Sequence, residues 1–322
     1  MKKKILFICG SMNQTTQMHQ ISRWLTEYDQ YFSPFFSDGI LGSASEAGLL
    51  EFTIMGRKRS QRTLEYLRSH HLKLDIGGFA HPYDLVVTCT DLIVPKHILS
   101  KKIVLVQEGM TEPETILYHA AKNLPWVPRW IAGTSTTGLS DAYHKFCVAS
   151  EGYRDLFIRK GVTPTKIEVT SIPNFDNCEK YLHNDFPYHD YVLVCTSDNR
   201  ETFIYENRVK NIKKYLDMAD GRQLIFKLHP NENTERAKRE IEQHAPKSLV
   251  FSDGNTEEMI ANSRMLIAQF SSTIFVASAL NKIVHCGLEP EVLKSLTPLQ
   301  NKSAAKKIAE VCRQVIESPT EP

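Results

Sequence analysis

Between Arg222 and His285 the chain alternates short apolar runs with helical segments, in the order strand, helix, strand, strand, helix, strand. The runs are apolar almost throughout rather than at every second residue, as expected of strands buried on both faces of a parallel sheet. Two of them end in polar punctuation. Residues 222–230 (RQLIFKLHP) close on His229-Pro230, and residues 265–273 (MLIAQFSST) close on Ser271-Ser272-Thr273, ahead of the apolar segment IFVASAL. Ligands of open parallel sheets bind outside the carboxyl ends of the strands. Pro230 cannot donate to a ladder, so it stops its strand and turns His229 outward. A helix start with hydroxyls and unpaired N–H groups suits a phosphate. Together these features point to a phosphorylated, nucleotide-activated ligand held in a cleft.

The first half follows the same plan. KKILFICGS is a buried strand closed by a turn at Gly10, Ser11 and Asn13, and residues 14–27 carry Met18, Ile21, Trp24 and Leu25 at helical spacing. Tyr83–Cys89 and Ile103–Gln107 read as further strands, and residues 57–69 as a helix with Leu64 and Leu67 inward. In residues 144–175 a strand ends at Ser150, a helix runs to Lys160 with Gly161 as its C-cap, and a second strand closes at Ser171. Residues 173–188 are polar and proline-containing and read as a linker. The expected division is a first domain over 1–172 and a second over 189–322. A final amphipathic helix at 303–317 is counted with the second domain, near the hinge.

A chain of 322 residues suits two cores better than one. A net charge of +2 gives no drive toward nucleic acid. The apolar start Ile5–Cys9 is too short for a secretory signal, and no run of about 18 apolar residues suggests a membrane span. The seven cysteines lack C-x-x-C spacing and read as buried thiols of a cytoplasmic enzyme. Neither a cofactor nor a metal is expected.

Residues 144–175 (HKFCVASEGYRDLFIRKGVTPTKIEVTSIPNF) resemble the end of the first domain in GT-B glycosyltransferases and UDP-N-acetylglucosamine 2-epimerases. FKLHPNEN followed by SSTIFVASALNKIV resembles two further groups. These are the CDP-glycerol glycerophosphotransferases of teichoic acid synthesis and the bacterial capsule and sialyltransferase families with His-Pro and Ser-Ser motifs. The resemblance implies an α/β fold of two Rossmann-like domains facing a cleft (GT-B), with acceptor on the first domain and donor on the second. Two departures matter. Relatives carry an acidic residue four or five positions beyond the Ser-Ser turn, where this chain has Val276 and Ala277. That disfavours a UDP-sugar mode and favours one dominated by phosphate contacts. Ser171 stands where relatives have a glycine before the Ile-Pro pair.

On this reading the donor is a sugar or polyol activated by CMP, CDP or UDP, and the acceptor a surface glycan or a lipid-linked sugar. Donor contacts are expected from His229, Pro230, Ser271, Ser272, Thr273 and the loop carrying Thr196, Ser197 and Arg200. The plain alternative for that loop is a helix start capped by Asp198 or Asn199. His229 is also a catalytic candidate, because imidazolium neutralises a phosphate oxygen and imidazole donates one hydrogen bond. With the helix terminus it would bear the leaving phosphate's charge without a metal. Lys227 is expected to point away and be solvated. On the acceptor side stand Gly10, Ser11, Asn13 and His19, without a dinucleotide-type G-x-G-x-x-G. An inverting transfer needs one group to take the acceptor proton. Glu108, in a partial match to the acidic-acidic-Gly motif of sialyltransferases with Gln107 in first place, is the preferred base, and Asp91 and His19 compete. Arg57-Lys58-Arg59 and Arg62, with Phe35, Phe36, Trp126 and Trp130, raise a peripheral contact with the anionic inner membrane face; the alternative is a solvated helix face. Two other functions fit the fold. A sugar-nucleotide 2-epimerase-like enzyme is opposed by Val276, whereas a non-catalytic nucleotide-sugar-binding protein is compatible with it.

Overall fold

The computed structural model describes residues 2–36, 57–202, 204–269 and 271–319. It forms two compact units, Met1–Asp176 with Pro298–Pro322, and Asn177–Thr297. The first unit holds β1 (Lys4–Cys9), β2 (Asp29–Pro34), β3 (Leu85–Thr88), β4 (Ile103–Val106), β5 (Lys145–Val148) and β6 (Ile167–Val169). All neighbours are parallel, in the order β2-β1-β3-β4-β5-β6. Its helices are α1 (Met12–Ser22), α2 (Arg57–Ser69), α3 (Lys96–Leu99), α4 (Ile116–Asn123) and α5 (Glu151–Lys160). The second unit holds β7 (Val192–Cys195), β8 (Leu224–Lys227), β9 (Leu249–Phe251), β10 (Met265–Ile267) and β11 (Ile283–His285). These are parallel in the order β11-β10-β7-β8-β9. Its helices are α6 (Arg208–Ala219), α7 (Thr234–His244), α8 (Thr256–Asn262), α9 (Thr273–Ala279) and α10 (Pro290–Leu296).

The local grammar of residues 144–175 is realised. Ser150 caps α5 by accepting the Tyr153 N–H, and Gly161 ends it at φ 108°, a left-handed conformation in which a Cβ is disfavoured. Several elements went unpredicted, among them four helices, Lys96–Leu99, Ile116–Asn123, Arg208–Ala219 and Pro290–Leu296, and two elements with weak local signal. β2 is an edge strand of sequence DQYFSP, too polar to announce itself, and it ends in a proline that an edge tolerates. α8 is only seven residues long, started by Asn255 accepting the N–H groups of Glu257 and Glu258.

The final helix α11 (Ala304–Glu317) corrects the expected division, because it belongs to the first unit. Its face of Ile308, Ala309, Val311, Cys312, Val315 and Ile316 joins the core of β1, β3 and β4 together with Met18 and Ile21 of α1 and Leu25 just beyond it. Each aliphatic side chain buried there is worth about 1.5–3 kcal/mol, which sets where the helix packs. The carbonyl of Ile316 at its carboxyl end accepts from Lys3 Nζ at 3.1 Å and Lys102 Nζ at 3.4 Å, cations where the helix dipole favours them. The segment expected as a linker is partly packed too, with Phe175 and Cys178 buried.

Ser171 adopts φ 73°, the left-handed region that a glycine would occupy without penalty. Its buried hydroxyl donates to the Leu299 carbonyl at 2.7 Å. Ser171→Ala should therefore destabilise by about 1–2 kcal/mol, since it strands a carbonyl and keeps the strain. Ser171→Gly should stay within about 1 kcal/mol of wild type, since relief of strain offsets the lost bond. Urea midpoints of the two variants check this; equal losses would show that the backbone conformation carries no penalty.

Candidate functional site

In the second unit the chain travels from β7 to β8 to β9, then returns to place β10 and β11 on the other side of β7. The crevice at such a reversal is where open α/β sheets take ligands. Three loops meet the carboxyl edge there: 196–199 after β7, 228–231 after β8 and, among the described residues, 268–269 and 271–272 after β10. Side chains stitch them together. Asn231 Nδ2 donates to Asp198 Oδ2 at 3.0 Å, and Asn199 Nδ2 donates to Gln269 Oε1 at 2.8 Å. His229 is half-buried and Pro230 exposed. The Nδ1 edge of the His229 ring faces the Asn231 N–H at 3.3 Å and Asp198 Oδ2 at 3.5 Å. Ser271 receives the Thr273 N–H at 3.3 Å and its hydroxyl at 2.9 Å, so that it orders the first turn of α9. Ser272 is the N-cap residue and is half-buried. The structure thus brings His229, Thr196, Ser197, Ser271, Ser272 and Thr273 to three adjacent strand ends.

Two of the expected placements change. Lys227 is buried rather than solvated, and its Nζ donates to the Ser252 carbonyl at 2.9 Å. Arg200 makes a bidentate pair with Glu240, both bonds 2.9 Å, and lies 3.6 Å from Glu232. A guanidinium so engaged is a structural cation rather than a ready phosphate ligand.

The residue that sequence reasoning missed is Glu232, whose side chain is fully buried. Its Oε2 accepts from Thr196 Oγ1 at 2.5 Å, and Thr196 Oγ1 in turn accepts the His229 backbone N–H at 2.9 Å. Arg208 Nη2 stands 2.7 Å from Glu232 Oε1, close enough for an ion pair but outside hydrogen-bonding geometry. Arg208 is held from its other side by Glu206 at 2.7 Å, which also accepts from Ser197 Oγ at 3.0 Å. A buried ionic network therefore underlies both the Thr196–Ser197 loop and the His229 turn. The His-Pro-Asn-Glu run was visible, but nothing local marks its distant arginine partners.

On the β10–β11 side lies a pocket of about 300 Å³. Tyr215 and Lys214 of α6, Gln269, and His285 to Gly287 line it.

In the first unit the reversal falls between β1 and β3. Glu108, beyond the end of β4, reaches to the α1 start. Ser11 Oγ donates to its Oε1 and Gln14 Nε2 to its Oε2, both at 2.6 Å. Its carbonyl accepts from Asn13 Nδ2 at 3.0 Å and Gln17 Nε2 at 2.7 Å. Gly10 makes this possible: a Cβ there would lie 2.1 Å from Gln14 Oε1. Gly10, Ser11, Asn13 and Glu108 thus form one constellation, and Glu108 stays half-exposed.

The rival bases are differently employed. Asp91 is buried and accepts the N–H groups of Gly138 and Ser140, each at 3.0 Å, and Arg129 Nη1 at 3.3 Å. It anchors the 129–140 segment. His19 is buried on α1 beside Tyr66, whose hydroxyl lies 3.0 Å from Nδ1. Burial, then Arg23 and His70, push its pKa down to about 4, so it is neutral near pH 7. The side chains of Arg57, Lys58 and Arg59 lie outside the described residues; Arg62 is exposed on α2. Among the described residues no group of three or more His, Cys, Asp or Glu could hold a metal, and no helix is long and apolar enough to cross a membrane.

No protein-family model and no curated protein matches the chain. Solved structures do. A putative UDP-N-acetylglucosamine 2-epimerase from Listeria monocytogenes matches with a TM-score of 0.62 at 11% identity, covering 100% of this chain and 99% of that one. UDP-GlcNAc 2-epimerase from Neisseria meningitidis bound to UDP-GlcNAc matches at 0.59 and 12% identity, covering 97% and 100%. A variant of the wall teichoic acid polymerase TagF soaked with CDPG matches at 0.53 and 12% identity, covering 98% and 89%. The chain has the fold of these proteins, the two Rossmann-like units of the GT-B class.

Proposed function

We propose that this chain is a metal-independent GT-B transferase that moves a glycosyl or polyol-phosphate group from a CMP-, CDP- or UDP-activated donor to a surface-glycan or lipid-linked acceptor. The observation that carries the reading is the trio of stitched loops at the strand reversal of the second unit, with His229 on one side of β7 and Ser271-Ser272-Thr273 on the other. A phosphate is the ligand that imidazole, hydroxyls and a helix start serve together. The pocket on the β10–β11 side offers the aromatic Tyr215 and the amide of Gln269 to a nucleobase. In the first unit Glu108 takes the acceptor hydroxyl proton as the acceptor oxygen attacks. The bond to the leaving phosphate breaks, and His229 bears the charge that develops there. The reading places the protein in the cytoplasm, peripheral to the inner membrane face.

A 2-epimerase-like enzyme is the second reading, favoured by the full-length likeness to two such enzymes. Val276 and Ala277, both fully buried in α9, oppose it, because no carboxylate stands at those positions.

Thermal shift with CMP, CDP, UDP and GDP tests nucleotide binding, since a ligand above its Kd raises the melting temperature. His229→Ala should weaken the preferred nucleotide by about 1.5–3 kcal/mol, the size of a charge-assisted hydrogen bond. Unchanged affinity in titration calorimetry would remove His229 from the site. Incubation with the nucleotide-activated donor then separates the readings. A transferase releases the nucleotide when acceptor is added, an epimerase leaves it attached, and a binding protein changes nothing.

A further inference from the structure

We propose that a cavity of the first unit, between the carboxyl end of α1 and the start of α11, is a binding site for a phosphomonoester of sugar-phosphate size. The recognition does not depend on the transferase reading; only its consequence for turnover rests on that reading. The cavity holds about 200 Å³, and its lining includes Gln20, Arg23, Trp24, Asp176, Lys302 and Lys306. All of them belong to the first unit. Drug-sized ligands fill about 300–1,000 Å³, so a nucleoside diphosphate exceeds this space and a phosphorylated monosaccharide fits it.

Charge selects an anion. Arg23, Lys302 and Lys306 line the cavity against the single carboxylate of Asp176. That carboxylate is spent on the fold: its Oδ2 accepts the Ala304 N–H at 2.8 Å, and the Asp176 carbonyl accepts the Lys302 N–H at 3.0 Å. Lys302 is thereby held at φ 55°, a left-handed conformation that is costly for a residue with a Cβ. With Lys307 and Glu310 of α11 counted as well, cations outnumber carboxylates by four to two. The neighbouring Arg313 and Glu27, 2.6 Å apart, neutralise each other. Among the described residues neither Arg23 nor Lys306 makes an ion pair. A guanidinium and an ammonium left unpaired at one cavity suit the oxygens of a phosphate.

The indole adds a second chemistry. Trp24 is 48% exposed, its carbonyl accepts from Arg313 Nη2, and Lys306 Nζ stands 5.9 Å from the centre of its ring. An aromatic face gives the apolar side of a sugar ring a flat, rigid contact while the cations take the phosphate. Gln20 offers an amide to a ring hydroxyl, and that amide is already part of a chain. Its Nε2 donates to Asn174 Oδ1 at 2.6 Å, and Asn174 Nδ2 donates to the Asn13 carbonyl at 2.9 Å. Asn13 Nδ2 in turn donates to the Glu108 carbonyl at 3.0 Å. A ligand hydroxyl that draws on the Gln20 amide competes with Asn174, so on the transferase reading occupancy alters turnover at Glu108.

The experiment is titration of the full chain with ribose 5-phosphate, followed by calorimetry and by tryptophan emission, with ribose and inorganic phosphate as separate titrants. The expected result is saturable binding of the sugar phosphate, with a change in emission that Trp24→Phe removes. Ribose and inorganic phosphate should each bind at least about tenfold more weakly. Lys306→Glu and Arg23→Ser should each weaken the sugar phosphate by about tenfold or more, the scale of one charge-assisted contact. Their melting temperatures should be kept, because both side chains are exposed. No saturable binding overturns the proposal, as does binding untouched by both substitutions or inorganic phosphate bound as tightly as the sugar phosphate. Sedimentation with phosphatidic acid vesicles, without a response to ribose 5-phosphate, also overturns it and assigns the cations to a lipid headgroup. Nucleotide thermal shifts and donor turnover are measured beside each titration. Binding with unchanged turnover sinks the effector role alone; binding without any nucleotide shift sinks the transferase reading and leaves the site standing.

Discussion

Glu108→Gln should lower turnover by roughly 10²–10⁴-fold while nucleotide affinity stays nearly unchanged. The three candidate bases now differ in situation. Asp91 spends both oxygens on backbone and arginine donors, and His19 is enclosed on α1 beside Tyr66. Glu108 alone of the three remains half-exposed, oriented by Ser11 and Gln14. The glutamine variant preserves size and accepts the Ser11 bond, so the fold should hold, but its amide cannot take a proton. Initial rates of nucleotide release with acceptor present measure the effect. Turnover close to wild type would move the base elsewhere, and activity in Ser11→Ala matching wild type would remove the orienting role of that hydroxyl.

Glu232→Ala should cost about 3–5 kcal/mol of stability, because a fully buried carboxylate is taken from beside Arg208 and Arg200. Each guanidinium keeps one other partner, Glu206 for Arg208 and Glu240 for Arg200, so the lower end of the range is expected. The loss reaches the loops of the candidate site as well. Thr196 Oγ1 loses its nearer acceptor and keeps only the Lys227 carbonyl at 3.4 Å while it still receives the His229 N–H, and the turn carrying His229 loses support. Glu232→Gln retains an acceptor for Thr196 and should recover part of the nucleotide affinity, though not the ionic contribution. Urea unfolding measures the first effect and calorimetry the second. A cost below about 1 kcal/mol for the alanine variant would mean that the network is solvated or redundant.

Much of this molecule is readable from short-range pattern. Uniformly apolar runs announce β1, β3, β4, β7, β8 and β10, and Ser150 and Gly161 bound α5, because caps and strand ends depend on residues within a turn or two. The same locality made His229 and the Ser271–Thr273 cluster visible, since each closes a strand. Elements with weak local signal were lost: β2 is polar and on an edge, and α8 is a two-turn helix between strands.

Short-range pattern was enough for the two-unit parallel α/β plan and for the strand ends that carry the candidate site residues. Tertiary structure decided the rest. Strand order, which puts β7 between β8 and β10 and so makes 196–199 the bridge between the histidine and hydroxyl loops, follows from pairing between segments far apart in the chain. The same holds for α11, whose apolar face was legible but whose partner was not. Arg200 looked like a phosphate ligand until Glu240, forty residues later, claimed it. Glu232 gained its importance only when Arg208 and Thr196 met it in the interior. Local propensity is written in neighbouring residues, whereas the partner of a buried charge or an apolar face is set by which distant surfaces leave water together.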